Sequence, residues 1–495
     1  LASKPDNDWQ DLMFGPALMQ NYALSVKGGG KYSTYYNSVG YTNQDGVMKG
    51  TNYQRYTLQS KQDFKKGIFQ AGTNVVLTYD QSNPLYSVIR GGMVGHTLQA
   101  IPTWEQYDEN RTGGYGGLYG DVVNLTHPLG MVDDNLMKRY SDNVKIFANA
   151  YVSVELMKGL KYKLNLTPDF QFYRYNSYEG LFDFGLAKHD ITAVTEQQTR
   201  TRNILVENLL TFDRTFGDHK VSALVGYTYQ DSRYRYMQGS GQGMPTGITE
   251  IDAASQGLAV SGNSSRSVLT SILGRAFYSY KNRYLLTATI RRDGSSKFGS
   301  NYRYGNFPSV SVGWNIAEED FVKNSVSWLD QLKLRGGYGV LGNQEIDNYQ
   351  YVSVVTTGIN YPDGKSGLIQ GAFPKTFANP DIKWERTSEF NGGLDYAFFN
   401  HRLFGSIDGY YRYTKGALAP SPYPLESGST SYTSNLIDLS NKGVEIEIGG
   451  DIIRTADWTW TSKFNIALNR NKIEKLNGAE LSSNDVDTYI EGQPA

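Results

Sequence analysis

The chain has 495 residues, enough for several ordinary domains or for one very large β-barrel. Its 48 basic and 49 acidic residues nearly cancel, so no net field points to nucleic acid or to an acidic surface. Cysteine is absent, which excludes disulfides, thiolate zinc sites and cysteine nucleophiles.

Composition adds a direction. There are 38 tyrosines and 53 glycines against 15 prolines. Tyrosine packs well on pleated strands and also favours membrane interfaces, where its ring sits in lipid and its hydroxyl in water. No apolar run approaches the roughly 20 residues of a spanning helix, so any membrane crossing must use closed strands. The opening LASKPDNDWQ has no initiator methionine, basic region or apolar leader, and the closing YIEGQPA has no finishing strand. The reading is of a piece, 1–495, lying within a barrel and incomplete at both ends.

Taken in chain order, period-two alternation predicts strands near 19–28, 31–42, 50–62 and 67–80. The next runs from 144 to 156, with Val144, Ile146, Val152, Val154 and Leu156 on one face and Lys145, Asn149, Tyr151 and Glu155 on the other. Further segments follow near 160–175, 200–215, 219–237, 266–280, 283–293, 305–316, 331–342 and 383–399. The last three cover 403–414, 440–451 and 458–469, the final one carrying Trp458, Trp460, Phe464, Ile466 and Leu468 on a single face. The count is roughly sixteen strands, most about 10–16 residues long, with no long amphipathic helix.

The connections alternate as well. Short turns are predicted near 29–30, 63–67, 157–159, 217–218, 281–282, 400–401 and 454–456. Between them lie long segments near 81–136, 176–199, 238–265, 343–382 and 416–439, with shorter ones at 43–49 and 294–304. The connection 317–330 is long on the short side, and its AEEDFVKNSVSWLDQ is suited to a helical turn. Long alternating with short is the pattern of an up-and-down outer-membrane barrel. A soluble sandwich also alternates, but its strands average five or six residues and a dry core does not accept charges on the polar face. Tyr278, Tyr280, Tyr284, Trp458 and Trp460 crowd strand ends, where an interfacial girdle belongs.

Several motifs, in order, resemble the SusC/RagA family of TonB-dependent outer-membrane proteins of Bacteroidetes-type bacteria. They are DNDWQDLMF at 6–14 with QNYALSVKGG at 20–29 and TYYNSVGY at 34–41, then LLTATIRRDGSSKFG at 285–299 with NFPSVSVGWNIAEE at 306–319. LKLRGGYGVLGNQEI (332–346), NPDIKWE (379–385) and NKGVEIEI (441–448) complete the series. The resemblance implies an all-β fold, a large antiparallel transmembrane barrel of about 22 strands of which about 16 are here. It also implies a plug upstream, TonB contact through a region outside this chain, and a SusD-like surface lipoprotein acting as a lid. The expected location is the bacterial outer membrane, in contact with its lipid, and a dimer of transporter–lipoprotein pairs is compatible with the family.

The motifs also have local readings. RRDGSSKFG lacks the spacing of a phosphate loop and reads as a hairpin turn at Asp293 and Gly294, with Arg291, Arg292, Asp293 and Lys297 pairing with one another or with lipid phosphates. Trp384 in NPDIKWE reads as an interface marker, and Glu445 and Glu447 as charges facing a wet lumen rather than a catalytic pair. His96, His127, His189, His219 and His401 show no metal-ligand spacing, and Asp133, Asp134 and Asn135 fit no EF-hand. No nucleophile–base constellation emerges, so neither an enzyme nor a cofactor is expected.

Binding chemistry is placed in the long connections, since loops on a rigid scaffold supply most binding residues. The candidates for ligand or partner contact are Trp104, Tyr107, Tyr115 and Tyr119, then Tyr178 and Phe182. Tyr349, Tyr351 and Tyr361 follow, then Tyr423 and Tyr432. Aromatic rings stack on the apolar faces of sugars and also serve protein interfaces. The expected function is TonB-dependent import of a large nutrient, an oligosaccharide first and a peptide as the alternative, with a soluble β-rich adhesin as the reading from another class.

Overall fold

Period-two alternation is realised as sixteen strands in one sheet, each hydrogen-bonded to the next in chain order. The computed structural model describes residues 4–84, 92–118, 125–364, 367–422, 431–477, 482–483, 487–488 and 490–494. The sheet strands are β1 (Met19–Gly29), β2 (Ser33–Asp45), β3 (Asn52–Lys66), β4 (Phe69–Asn83), β5 (Met137–Met157) and β6 (Leu160–Glu179). They continue as β7 (Ala193–Phe216), β8 (His219–Gln242), β9 (Gln256–Tyr280), β10 (Tyr284–Ser295) and β11 (Tyr304–Asn315). The last five are β12 (Leu329–Asn343), β13 (Glu385–Phe398), β14 (Leu403–Pro422), β15 (Ser431–Arg454) and β16 (Thr459–Lys475). The residues fall into two compact units, one of Leu1–Val152, Asn165–Leu205 and Asp231–Arg266, the other of Ser153–Leu164, Val206–Gln230 and Ser267–Ala495.

Register explains why one sheet face is apolar and exposed. In the first unit Leu24 pairs with Val39, Val39 with Leu58 and Leu58 with Leu77, while Tyr22, Tyr41, Tyr56 and Tyr79 form the adjoining row. All eight side chains are exposed except the half-buried Tyr41, an arrangement that water would penalise and lipid accepts. Along β4, Phe69 at the short turn is ten residues from Tyr79. Ten residues rise about 33 Å along a strand, and a tilt of about 40° reduces this to roughly 25 Å, the height of an outer-membrane apolar band. The alternate face carries Gln70, Asn74, Thr78 and Asp80.

The second unit repeats the pattern. Ile446 pairs with Ile407 and Ile466, Val444 with Leu468, and Ile448 with Phe464. The expected girdle at the short turns is present: Tyr284 stacks on Tyr280 and on Trp314, and Trp458 is 76% exposed. Glu319 gathers these rings, accepting from the Tyr284 hydroxyl at 2.6 Å, Trp314 Nε1 at 2.9 Å and Arg283 at 3.2 Å. It sits in the 316–328 connection, where a 3-10 turn (Ile316–Glu318) and a helical turn (Asp320–Lys323) fulfil the helical expectation.

Three expectations are corrected. Strands are longer than predicted at the ends facing the long connections: β7 and β8 each have 24 residues and β9 has 25. There the polar stretches EQQTRTR and GNSSR stay in the ladder, because backbone pairing continues once register is set and neither face must be apolar above the membrane. Asp293 and Gly294 are not a turn. They lie inside β10, paired with Gly305 and Tyr304, and the chain reverses only at 296–303. Finally, Trp384 is buried rather than interfacial, packed with Phe298, Phe307 and Ile382, its indole donating to the Arg303 carbonyl at 3.0 Å.

The charges of RRDGSSKFG do find partners within the chain. Arg291 Nε donates to Asp293 at 2.6 Å, Lys297 Nζ donates to the Ile346 carbonyl at 2.8 Å, and Arg292 lies over the Tyr304 ring at 5.0 Å.

Candidate binding surface in the long connections

The connection between β4 and β5 folds into an apolar assembly of its own. Helix α1 (Trp9–Met13) starts on Asp8, whose carboxylate accepts from the amides of Gln10 and Asp11, the pattern that satisfies free donors at a helix start. It packs with helix α2 (Gly92–Gln99) and with Trp104, Leu118, Leu125, Met131 and Phe184. Indole nitrogens are anchored as burial demands: Trp9 Nε1 donates to Ile101 O at 2.8 Å, and Trp104 Nε1 to Gly116 O at 3.0 Å.

His127 occupies the middle of this aromatic group. Its ring lies 4.8 Å from that of Trp104, 5.1 Å from Trp9, 5.1 Å from Tyr115 and 5.7 Å from Phe184, centroid to centroid. The Gly130 amide donates to Nδ1 at 3.4 Å, so a neutral ring with its proton on Nε2 also satisfies the Glu105 carbonyl at 3.2 Å. Burial lowers the His127 pKa from 6.5 to about 4, against a smaller opposing effect of that carbonyl.

The rim of the assembly is polar. Arg111 joins Asp108 at 3.1 Å and Asp183 at 3.2 Å, tying the 101–118 stretch to the small hairpin of Phe182–Asp183 with Lys188–His189. Asp183 also accepts from the Gly185 amide and from Lys188, which hold its carboxyl below the usual range. Asp133, which fits no EF-hand pattern, accepts from the Asn135 amide and from the Tyr115 hydroxyl at 3.0 Å. Burial, followed by that carboxylate, pushes the Tyr115 hydroxyl pKa up.

The predicted aromatics therefore separate by environment. Trp104 is 2% exposed, Tyr178 1% and Phe182 7%; they hold loops in place rather than offering a ring to solvent. Tyr178 packs with Val194 and Met244, and its hydroxyl accepts from the Gly247 amide. Tyr115 is half-buried, lying between the assembly and Tyr107, which is 64% exposed with its ring tilted at 35° and 5.5 Å from that of Tyr115. Tyr349 is exposed and held at φ 68°, Tyr351 is half-buried beside Trp384's cluster, and Tyr432 is half-buried on β15. Tyr361 is exposed on a separate hairpin, Val354–Pro362 with Leu368–Thr376. Tyr119 and Tyr423 lie outside the described residues. Sequence reasoning missed His127 and Trp9 as organisers, because nothing in their local pattern signals that they meet.

Comparison with known proteins places this architecture. A family model described as TonB dependent receptor-like, beta-barrel matches residues 95–494. The chain belongs to that family. It is an outer-membrane β-barrel of the TonB-dependent receptor family, which sets aside the soluble adhesin reading. TonB-dependent receptor SusC of Bacteroides thetaiotaomicron is 30% identical over 519 residues, covering 98% of this chain and 50% of that protein. TonB-dependent receptor P3 of Formosa agariphila is 31% identical over 508 residues, covering 99% of this chain and 48% of that protein. The chain thus spans about half the length of the curated relatives it matches. A solved structure of the RagAB peptide transporter superposes with a TM-score of 0.87 at 24% identity, over 100% of this chain and 56% of that one.

Proposed function

We propose that this chain is most of the barrel of a TonB-dependent importer that brings a large nutrient, an oligosaccharide, across the outer membrane with a SusD-like surface lipoprotein. The observation carrying the proposal is the assembly around His127, which fixes Tyr107 at the surface next to Asp108, Asn110 and Arg111. An exposed ring flanked by carboxylate, amide and guanidinium groups suits a sugar, whose ring face stacks while its hydroxyls are hydrogen-bonded. Tyr349 and Tyr361 are the other exposed candidates, for ligand or for the lipoprotein.

Peptide import is the second reading, supported by the likeness to the RagAB peptide transporter. The test uses the full-length protein extracted from outer membranes in mild detergent. A stoichiometric lipoprotein in the pull-down, and binding of fluorescent neutral oligosaccharides that falls about fivefold in Tyr107→Ala, is the expected result. Binding of fluorescent peptides in place of sugars selects the second reading. Recovery of the chain alone, binding neither probe, overturns both.

A further inference from the structure

The outward face of the first unit changes character abruptly. On β5 the exposed Val152 and Val144 are followed, two and four residues further on the same face, by Asp142 and Tyr140. On β6 Leu166 and Phe172 give way to Arg174. Arg174 donates to Asp142 at 2.8 Å and lies over the Tyr140 ring at 5.6 Å, while Arg200 of β7 lies over Phe172 at 5.3 Å. Apolar side chains, a row of rings and then guanidinium groups follow one another in the order of acyl chains, interface and headgroups.

Beyond Arg200 the cationic character deepens. Asp231 of β8 receives Arg266 of β9 through two bonds of 3.0 Å, Arg233 at 3.3 Å and Arg202 at 3.6 Å, and its side chain is 9% exposed. Three guanidinium groups thus converge on one oxygen of a single carboxylate. The Asp231 carboxylate offsets one of these three charges, and the repulsion that remains favours a further anion beside them. Arg202 Nε is also a buried donor without a hydrogen-bond partner among the described residues. Arg174 and Arg200 lie on the same face, where arginines outnumber the carboxylates Asp142, Glu196 and Asp231, on a surface adjoining the apolar band.

We propose that this belt binds the phosphorylated headgroup of an outer-leaflet glycolipid, with Arg200, Arg202 and Arg233 engaging phosphate and the Phe172 and Val144 surface beneath them meeting the acyl chains. The planar guanidinium fork matches phosphate oxygens, and the neighbouring aliphatic and aromatic surface distinguishes a lipid from a free anion. The site depends on the chain's place in the outer membrane and is independent of what the protein imports.

The test is native mass spectrometry of the full-length protein in detergent, titrated with diphosphoryl lipid A, with its dephosphorylated form, and with inorganic phosphate. The double variant Arg200→Gln, Arg233→Gln leaves Arg266 on Asp231. A separate variant, Arg55→Gln, removes an exposed arginine from the opposite sheet face. Diphosphoryl lipid A is expected to bind the double variant about tenfold more weakly than the parent, the scale of one or two lost charge-assisted contacts, with Arg55→Gln unchanged. Heat-modifiability on gels establishes that each variant is folded. Equal lipid binding by parent and double variant, binding indifferent to dephosphorylation, or inorganic phosphate binding as tightly as the lipid would each overturn the proposal.

Discussion

The rings of Trp104 and His127 meet nearly edge to face, with centroids 4.8 Å apart and planes at 73°. Two residues that looked like separate features of a polar connection are thus one contact at the centre of an apolar assembly, and its properties follow from theirs.

Trp104→Ala removes a large buried side chain and orphans the Gly116 carbonyl. The expected cost to the assembly is about 3–5 kcal/mol, the usual range for such truncations. The sheet strands do not depend on this contact. Limited proteolysis should cut 100–136 far faster in the variant while the heat-modifiable barrel band persists; an unchanged cleavage rate would refute the packing role.

His127 makes the same assembly sensitive to acid. Its ordinary pKa of 6.5 falls to about 4 in the fold, so the unfolded connection takes up a proton more readily than the folded one. Stability is therefore complete above pH 6.5 and is lost as pH falls from 6.5 towards 4, by an amount on the order of 3 kcal/mol. Protection factors for the amides of 126–131, with the intrinsic pH dependence of exchange divided out, should fall over that window in the parent and stay flat in His127→Gln. Parallel pH profiles in the two proteins would contradict this.

Gly159 stands in the β5–β6 turn at φ 85°, with its carbonyl accepting from the Asp213 amide at 2.9 Å. A Cβ there would lie 2.4 Å from the Asp213 carbonyl oxygen, which is backbone and cannot swing aside. Gly159→Ala is expected to cost about 2 kcal/mol from strain and displacement together. A lower temperature for loss of the heat-modifiable band would show it. Gly217→Ala, at φ 57° and with open space around it, should cost less.

Glu319 collects the girdle by accepting from Tyr284, Trp314 and Arg283 at once. Glu319→Ala leaves the phenol and indole donors without their acceptor, while Glu319→Gln keeps one oxygen for them. The alanine variant should therefore perturb Trp314 fluorescence more than the glutamine variant. Equal spectra for both would show that the carboxylate does not order the rings.

The sequence by itself determined the sixteen strands, the face each residue occupies and the position of nearly every short turn. Those properties are local, because a two-residue period assigns faces without knowledge of the partner strand, and turns such as Lys281–Asn282 carry residues that tolerate the left-handed backbone observed there. It also showed which apolar positions form the exposed band, since Trp458, Phe464 and Leu468 alternate with polar neighbours.

Only the tertiary structure decided which loop aromatics are buried. Trp104 and Tyr107 are three residues apart and equally aromatic, yet one is enclosed by α1, His127 and Gly116 while the other faces solvent. That difference arises from contacts with residues up to about a hundred positions away, to which no local period is sensitive. The ends of β7, β8 and β9 were hidden for the same reason. Their polar residues are strands because neighbouring backbones continue the ladder, and that ladder exists only once the sheet has formed.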